Sequence, residues 1–247
     1  MKQIATYCII LKSTVVREID KLLTLFSPDI GIFYVTAYGA CKSKNRFGGK
    51  LEPLSVIFSE LTVKTVGTES EYGFKEVTLH DYFENLTGSY ETVMTAQSFC
   101  EILLKNNTAG EDRKLFALLY QALKALNENS RLGSRIFINF LIRYLAYMGF
   151  AAPIGECGGC GHVFSENETV CIQRSDYQAY CRNCAEGDCV PMESSLKNYF
   201  NCILKLKFRE SIRIPININE ERKLKAYLIS QLQDISGFHY KTLESFR

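Results

Sequence analysis

Hydrophobic positions follow two different periodicities along the chain. Up to residue 80, short apolar runs rich in β-branched residues are separated by turn residues such as Ser27-Pro28-Asp29. The runs cover residues 4–11, 21–26, 32–38, 55–66 and 74–80. Runs of this length between Gly, Pro and Asp are typical of β-strands. Five of them in about 80 residues predict a small closed barrel, of the OB-fold or the SH3-like type.

After residue 85 the apolar residues recur at helical spacing instead. The predicted helices span residues 86–105, 111–127, 134–148, 194–209 and 220–236. Ser134 is a candidate cap for the third helix, and Gly149 is expected to end it. The pattern therefore predicts an α+β protein, in which an N-terminal five-stranded OB-fold β-barrel is followed by an all-α domain.

Four cysteines lie between the third and fourth predicted helices, in Cys157-Gly158-Gly159-Cys160 and Cys181-Arg182-Asn183-Cys184. Two CxxC pairs can place four thiolates around one tetrahedral ion, so this spacing predicts a structural Zn²⁺ bound by Cys157, Cys160, Cys181 and Cys184. A coordination sphere closed by four thiolates leaves no position for substrate. The neighbouring glycines Gly155, Gly158, Gly159 and Gly161 are expected to supply positive φ angles.

Other interpretations of the cysteines are weaker. A redox CxxC would need only one pair in a thioredoxin-like setting. A disulfide would need an oxidising compartment, whereas the sequence after Met1 has no signal-peptide pattern and the ten cysteines suit a reducing cytosol. Cys171, Cys189 and His162 lie near enough in sequence to replace one ligand, and this alternative stays open.

We expect four segments: an OB-fold DNA-binding domain over residues 1–80, a helical domain over 81–152 that resumes over 191–247, and a four-cysteine zinc module inserted at 153–190. The expected segments also differ in net charge. The net charge of +2 is divided into about +2 over residues 1–80, about 0 over 81–150, about −4 over 151–190 and about +4 over 191–247. Basic regions on both sides of an acidic module indicate a polyanionic partner.

The most basic segment, residues 39–50, joins the third and fourth predicted strands. It contains four cations, no acid, one aromatic residue and three glycines. This composition suits phosphate contacts and base stacking, so the predicted nucleic-acid-binding residues are Lys42, Lys44, Arg46, Phe47 and Lys50. Alternatively, the segment is a solvated loop and Phe47 plugs the barrel end. A second basic stretch, with Lys205, Lys207, Arg209 and Arg213, is either a solvated helix face or a further DNA contact.

Catalytic patterns are missing from the sequence. It contains no GxxxxGK[ST] loop and no GxGxxG after a strand. The three histidines form no recognisable nucleophile or metallohydrolase arrangement. We therefore predict a non-enzymatic protein without a nucleotide cofactor. No apolar run approaches the ~18 residues that a membrane span requires.

The segment YGACKSKNRFGGKLEPL, residues 38–54, resembles the basic segment of the RecO family of bacterial recombination mediators. The two CxxC pairs match zinc-bearing members, and further similarity lies in Ile9–Lys12, Asp20–Phe26, Ser194–Lys197 and Leu243–Phe246. Tyr38 and Cys41 stand where many relatives have a basic residue. The resemblance covers most of the chain.

This resemblance implies an OB-fold, a helical domain and a zinc module. It also implies a cytoplasmic, nucleoid-associated protein of the RecF pathway that binds single- and double-stranded DNA and anneals complementary strands. Such a protein helps load a recombinase onto DNA coated by single-strand-binding protein. The implied protein partners are RecR and the tail of the single-strand-binding protein. The alternative is a zinc-stabilised scaffold for protein partners, whose basic segment does not hold DNA.

Overall fold

Five strands form a closed barrel in the computed structural model, which describes residues 2–106 and 110–246 except the side chains of Lys44, Asn45, Val66 and Glu69. The strands are β1 (Lys2–Val16), β2 (Asp20–Ser27), β3 (Gly31–Ala37), β4 (Val56–Val66) and β5 (Glu69–Asp81). Their order around the barrel is β1-β2-β3-β5-β4. β1 pairs with β4, and β3 meets β5 in parallel through Val35 and Tyr72. The predicted OB-type barrel is confirmed.

Strict alternation of side chains builds the barrel interior. In β3, Phe33, Val35 and Ala37 are buried while Tyr34 between them is exposed. Neighbouring strands contribute Cys8 and other apolar residues to the same interior, because successive side chains of a strand point to opposite faces. The core consists of Cys8, Ile10, Leu23, Leu25, Phe33, Val35, Ala37, Phe47, Leu51, Ile57, Leu61, Phe74 and Val77.

The described residues divide into two compact units, one formed by residues up to Gly133 together with those from Phe238 onward, and one by Ser134–Gly237. The predicted domain boundaries at residues 80, 152 and 190 stay predictions. Among the described helices, none has both the length and the apolar character that crossing a bilayer requires.

The first unit has a single helical turn, α1 (Lys44–Phe47), between β3 and β4, and the longer helices α2 (Tyr90–Asn106) and α3 (Arg113–Glu128) after the barrel. Ser89 Oγ accepts from the backbone N–H of Thr92 at the start of α2. Asp112 Oδ1 accepts from the N–H of Leu115 at 2.9 Å, so Asp112 is the N-cap of α3.

Helix α3 packs on the barrel through its first turns. The rings of Phe26 and Phe116 lie 5.7 Å apart, and Tyr120 Oη donates to Asp81 Oδ2 at 2.6 Å. The backbone N–H of Asp112 donates to the carbonyl of Pro28. Because these contacts bury aromatic surface and satisfy polar groups together, α3 is part of the same packed unit as the strands.

The C-terminal 3₁₀ helix (Thr242–Phe246) returns to α2. Tyr240 and Leu243 are fully buried. The Glu101 carboxylate accepts from the N–H groups of Lys241 and Thr242 and from the Thr242 hydroxyl, at 3.0, 2.9 and 2.6 Å. Glu101 therefore caps the start of this segment in the way that a side chain satisfies the first N–H groups of a helix.

The second unit contains the helix α4 (Gly133–Tyr147) from Ser134 onward, followed by a three-stranded sheet and three helices. The strands are β6 (Val170–Gln173), β7 (Ala179–Tyr180) and β8 (Cys189–Met192), in the order β7-β6-β8. The helices are α5 (Ser194–Lys205), α6 (Phe208–Ser211) and α7 (Ile218–Ser236).

One predicted helix is wrong in its length. The chain over residues 194–209 leaves the helical conformation at Leu206 and Lys207, whose ψ angles of 162° and 154° are extended. Arg143 Nη2 donates to the carbonyl of Leu206 at 2.6 Å, and Ser211 Oγ donates to Asn139 Oδ1 at 2.5 Å. Side chains of α4 thus supply hydrogen-bond partners to the chain just after α5 and fix the bend. Hydrophobic periodicity does not reveal such contacts.

Substitution Glu101→Gln should lower the thermal stability of the chain at neutral pH. Burial raises the pKa of Glu101, but the hydrogen bonds from Thr242 and Lys241 and the contact with Lys105 outweigh it, so the pKa is lowered. A carboxylate with a lowered pKa stabilises the fold above about pH 4.3, its unfolded value, and this contribution is lost as pH falls through the folded value. The difference in melting temperature between variant and wild type should therefore shrink on acidification.

The matched control is Glu71→Gln, which removes an exposed carboxylate from β5. We expect this control to follow the wild type across the whole pH range, as surface substitutions do. A melting temperature of the Glu101→Gln variant equal to that of the wild type at pH 7 would contradict the assigned role.

Candidate metal centre and nucleic-acid interface

The four cysteines of the CxxC pairs come together in the second unit. Their sulfur atoms all lie within 4.8 Å of one another, and those of Cys160 and Cys181 are 3.9 Å apart. Tetrahedral zinc with bonds of about 2.3 Å to sulfur separates its ligands by about 3.8 Å. The donor set and its spacing therefore fit a structural zinc ion held by Cys157, Cys160, Cys181 and Cys184.

Backbone hydrogen bonds form the two turns that present these sulfurs. In the first turn, the N–H of Cys157 donates to His162 O, and the N–H of Gly161 donates to Cys157 O. In the second, the N–H groups of Cys184 and Ala185 both donate to Cys181 O. Each cysteine pair is thus arranged by its own turn, as the spacing predicts.

Glycine is needed in the first turn for two different reasons. Only Gly161 of the four glycines has a positive φ, of +70°, so the predicted positive φ angles at Gly155, Gly158 and Gly159 are wrong. A Cβ on Gly158 would lie 2.5 Å from Gln178 Oε1, and one on Gly159 would lie 3.0 Å from the Cβ of Cys184. These two glycines allow the first turn to approach the second turn and β7 closely.

Hydrogen bonding makes the thiols unequal acids. The backbone N–H of Cys181, with those of Cys160 and Gly159, donates to the sulfur of Cys157 and lowers its pKa to about 6. The thiol of Cys184 has a pKa raised to about 12, because it hydrogen-bonds Cys160 and Cys181 and lies beside the Cys157 thiolate. Since thiolates are the metal ligands, the hydrogen bonds that lower the pKa of Cys157 favour the charge state in which it binds a metal.

The three substitute ligands considered from the sequence are not in this cluster. Cys171 and Cys189 lie on β6 and β8 and are bonded to each other, with their Cα atoms 5.7 Å apart. His162 Nε2 lies 3.1 Å from the carboxylate of Glu168. The bond between Cys171 and Cys189 was not predicted, because the compartment expected from the sequence does not show which cysteines meet across paired strands.

A buried lysine connects the metal module to α5. The Lys197 ammonium donates to the carbonyl of Ser165 and, at 2.8 Å, to that of Glu168. Its Nζ also lies 6.0 Å from the ring centre of Phe164. A buried charge needs such partners, and these hold the turn over residues 165–168 against the helix.

In the first unit, the basic segment 39–50 is folded onto the barrel. Gly39 has a φ of +69°, and its N–H donates to Asp20 Oδ1 at 2.7 Å. The N–H of Cys41 donates to Ile19 O, and a single helical turn, α1 (Lys44–Phe47), follows. The segment is therefore held at the β1–β2 turn by hydrogen bonds.

Phe47 does not have the predicted role in base stacking. Its ring is 3 % exposed, belongs to the barrel core and lies 6.1 Å from the ring of Phe74. Leu51, four residues later, is also fully buried. Both side chains belong to the barrel core, Phe47 from the end of α1 and Leu51 from the turn that follows it.

The described cations of the segment differ in exposure. Lys42 and Arg46 are exposed and Lys50 is half-buried, whereas the side chain of Lys44 lies outside the described residues. Arg46 Nη2 donates to Phe74 O at 2.6 Å, and Lys50 Nζ donates to Arg46 O and to Val77 O. Because a guanidinium has five N–H donors and an ammonium three, both can still bind phosphate.

Two tyrosines next to this segment were missed by the sequence analysis. Tyr34 and Tyr38 are 63 % and 66 % exposed, on the outer side of β3 and directly after it. In the register of β2 with β3, Tyr34 lies opposite Thr24, and the next pair on the same side is Leu22 with Thr36, so none of these neighbours is charged. The alternation of β3, with Phe33, Val35 and Ala37 inside, is the pattern that could have identified them.

The second basic stretch is exposed on the second unit. Lys205 ends α5, and Arg209 lies in α6. Lys205, Lys207, Arg209 and Arg213 all have exposed side chains. This exposure suits a solvated surface as well as a contact with DNA, and their role in binding stays open.

Comparison with known proteins gives matches over nearly the whole chain. Residues 1–83 match the family model for the N-terminal part of recombination protein O, and residues 88–244 match the model for its C-terminal part. The chain belongs to the RecO family. The barrel with its basic segment lies in the first match, and the four-cysteine cluster in the second.

Individual relatives are distant in sequence but similar in length. The DNA repair protein RecO of Mycoplasma mycoides is 23% identical over 93% of this chain and 91% of its own. RecO of Clostridium novyi is 26% identical over 98% of this chain and 86% of its own. The present chain is therefore a RecO family DNA repair protein.

Replacing Phe47 by alanine should destabilise the barrel by about 3–5 kcal/mol, the usual cost of removing a buried phenyl ring. The loss should appear as a lower midpoint in urea unfolding with an unchanged slope. Lys42→Ala, in the same segment but exposed, is the control and should stay within about 0.5 kcal/mol of the wild type. A Phe47→Ala variant as stable as this control would contradict the burial of the ring.

Replacing Cys160 by serine should abolish stoichiometric metal binding and destabilise the second unit, because removal of a thiolate opens the coordination sphere and metal binding is coupled to folding. Metal analysis should find about one zinc per wild-type chain and far less in the variant. Acidification should release zinc from the wild type, since protons compete for the thiolates. Cys202→Ser, on α5 outside the cluster, should keep its zinc; an equal loss there would count against the assignment.

Proposed function

We propose that this chain is a non-catalytic recombination mediator that binds DNA and anneals complementary strands in the RecF pathway. It helps to load a recombinase onto single-stranded DNA coated by single-strand-binding protein. One observation carries this proposal: a basic segment without acids is hydrogen-bonded to the β1–β2 turn of an OB-type barrel and follows β3, where Tyr34 on the strand and Tyr38 directly after it are exposed. RecR and the tail of the single-strand-binding protein are the proposed protein partners, and membership of the RecO family supports both.

Phosphate binding is assigned to Lys42, Lys44, Arg46 and Lys50. Burial of Phe47 and the hydrogen bond from Gly39 to Asp20 support this assignment, because they hold the segment in one conformation. Charges on a fixed backbone lose less entropy when DNA binds than charges on a mobile loop. The carbonyl contacts of Arg46 and Lys50 orient those two side chains before binding.

Base stacking is assigned to Tyr34 and Tyr38 in place of Phe47. Both rings are exposed on the β2–β3 side of the barrel, which is a side that OB-folds use for oligonucleotides. Every base has a face that can stack, so exposed aromatic side chains bind single strands without preference for sequence. Tyr38 also borders the basic segment, so a strand held there could contact ring and cation together.

Annealing follows from charge neutralisation and needs no chemical step. Two single strands repel each other through their phosphates, and a bound basic surface lowers that repulsion. The sequence has no nucleotide-binding loop. We therefore assign no ATP-dependent step and no catalytic residue to the chain, and we assign the proposed zinc ion to the folding of the metal module.

The second candidate function is a zinc-stabilised scaffold for protein partners. A groove of about 900 Å³ beside the metal centre favours it. The groove is lined by residues 149–158 and by Val163, which is 73 % exposed. An exposed apolar side chain next to an acidic module suits a protein partner better than DNA. The two functions differ in whether the basic segment binds DNA.

Binding of a fluorescent single strand should weaken as salt rises, with a log–log slope of about −0.7 for each phosphate contact. Four contacts in the basic segment would contribute about −3 to that slope. Replacing Lys42, Lys44, Arg46 and Lys50 by alanine should therefore make the slope shallower by about this amount. The double variant Tyr34→Ala/Tyr38→Ala should lose about 1–3 kcal/mol per stacked base while the slope stays unchanged.

The control is Lys75→Ala, a cation of the same barrel whose ammonium lies 2.9 Å from Glu60. It should leave affinity and slope as they are. A folded quadruple variant with unchanged affinity and slope would contradict DNA binding by this segment. In that case the second basic stretch would be tested by replacing Lys205, Lys207, Arg209 and Arg213 with alanine. A loss of DNA affinity would assign the DNA interface to the second unit. Unchanged DNA affinity would favour the scaffold function.

A further inference from the structure

Two cysteines outside the metal centre lie side by side on neighbouring strands. In the register of β6 with β8, Cys171 lies opposite Pro191 and Cys189 lies opposite Gln173. The two cysteines are therefore diagonal neighbours across an antiparallel pair. Their Cα atoms are 5.7 Å apart, within the range of ordinary disulfides, and their sulfurs are bonded.

Both cysteines face the same side of the sheet, and that side is accessible. Along β6, Val170 and Ile172 are buried, whereas Cys171 and Gln173 are half-buried. Cys189 is opposite Gln173 and shares its side, because directly opposed residues of an antiparallel pair point the same way. Cys189 is half-buried as well. A small oxidant or reductant can thus reach this pair without unfolding the core.

The bond between these cysteines encloses half of the metal centre. The loop between Cys171 and Cys189 contains Cys181 and Cys184, while Cys157 and Cys160 precede it. After Cys189, β8 continues into α5. Metal ligation joins the tip of this loop to the first turn, and the disulfide closes its base, so two separate links restrain the same residues.

We propose that Cys171 and Cys189 form a redox modification site, a dithiol that two-electron oxidants convert reversibly into a disulfide, and that this disulfide keeps the module folded when its metal is withdrawn. The oxidants are peroxides and small disulfides. The proposal concerns the metal module alone and does not depend on the proposed DNA-binding function.

The chemistry balances with either oxidant. A thiolate of the pair attacks hydrogen peroxide, forms an S–O bond, and the O–O bond breaks to release hydroxide, which is protonated to water. The second thiol attacks this sulfenic sulfur, the S–S bond forms, and a second water leaves. With glutathione disulfide, one cysteine first forms a mixed disulfide and the other displaces the bound glutathione, so two glutathione thiols are released. Either route removes two electrons and two protons from the pair.

A closed loop of this length has fewer conformations to lose when it folds around a metal. By the chain-entropy rule for a sequence separation of 18, apparent zinc affinity should be tighter by up to about two-hundredfold in the oxidised chain. Oxidation should therefore slow the release of zinc to a chelator. It should also raise the temperature at which the second unit unfolds after chelation.

The test uses the full-length chain as purified, first reduced and then exposed to increasing glutathione disulfide. Isotope-coded alkylation with peptide mass mapping should show that Cys171 and Cys189 become protected together, with a loss of about 2 Da from the chain. Cys202 and the four metal-centre cysteines should stay unmodified at this stage, and zinc should remain bound. Dithiothreitol should restore both thiols.

Variants separate a specific pair from general thiol reactivity. In Cys171→Ser or Cys189→Ser, the remaining cysteine should take up one glutathione instead of the chain losing about 2 Da. Cys202→Ser should behave as wild type. In the double variant Cys171→Ser/Cys189→Ser, the rate of zinc release to a chelator should be the same before and after oxidation, whereas oxidised wild type should release zinc more slowly than reduced wild type.

Three results would overturn the proposal. The first is independent modification of Cys171 and Cys189 in the wild type. The second is disulfide formation among the metal-centre cysteines, with loss of zinc, before this pair reacts. The third is equal zinc release from the oxidised and reduced wild-type chains, which would leave the bond without the stabilising effect assigned to it.

Discussion

Burial of Phe47 and Leu51 in the barrel interior is the contact on which the shape of the basic segment depends. A twelve-residue connection with three glycines would otherwise have many conformations, and ordering it costs about 1–2 kcal/mol per residue. Two apolar side chains, Phe47 at the end of the single turn α1 and Leu51 four residues later, supply a compensating burial. The same turn directs Arg46 outward, where its guanidinium lies 4.8 Å from the Phe47 ring. Core packing therefore determines where the charges of the barrel rim lie.

A similar dependence holds for the second unit. Its strands β6, β7 and β8 have only two to four residues each and cannot form a core of their own. The sulfur cluster, the buried Lys197 and the Cys171–Cys189 bond hold them together. Each of these restraints uses a few atoms in place of apolar area, which is how small modules achieve a defined structure.

The elements and the four-cysteine cluster could largely be predicted from sequence, because each depends on local pattern. Alternation along β3 and helical spacing in α3 are properties of neighbouring residues, and each CxxC turn arranges its own two sulfurs. The position of the Phe47 ring, by contrast, depends on residues far away in sequence. Whether an aromatic ring in a basic segment faces a base or the core depends on Phe74, nearly thirty residues away, and composition contains no such information. The bend after Lys205 was missed for the same reason, since Arg143 stabilises it from another helix.

The cysteine pairs show a further limit of sequence reasoning. Cys157 and Cys160 are close in sequence, so their spacing indicates their role. Cys171 and Cys189 are eighteen residues apart and meet only because β6 and β8 pair in one register. A shift of that register by one residue would move one of the two to the other face. The register of β6 with β8 therefore determines which two cysteines meet, and the bond between them in turn holds the two strands in that register.

The return of the last residues to α2 has a consequence for synthesis on the ribosome. Tyr240 and Leu243 are buried in the first unit, although the whole of Ser134–Gly237 is made before them. The barrel, α2 and α3 emerge early but lack this packing partner until Tyr240 and Leu243 have left the exit tunnel. The second unit, by contrast, has all its residues available as soon as Gly237 leaves the exit tunnel. The first unit is thus completed after the second, and its α2 surface stays uncovered while Ser134–Gly237 is being made.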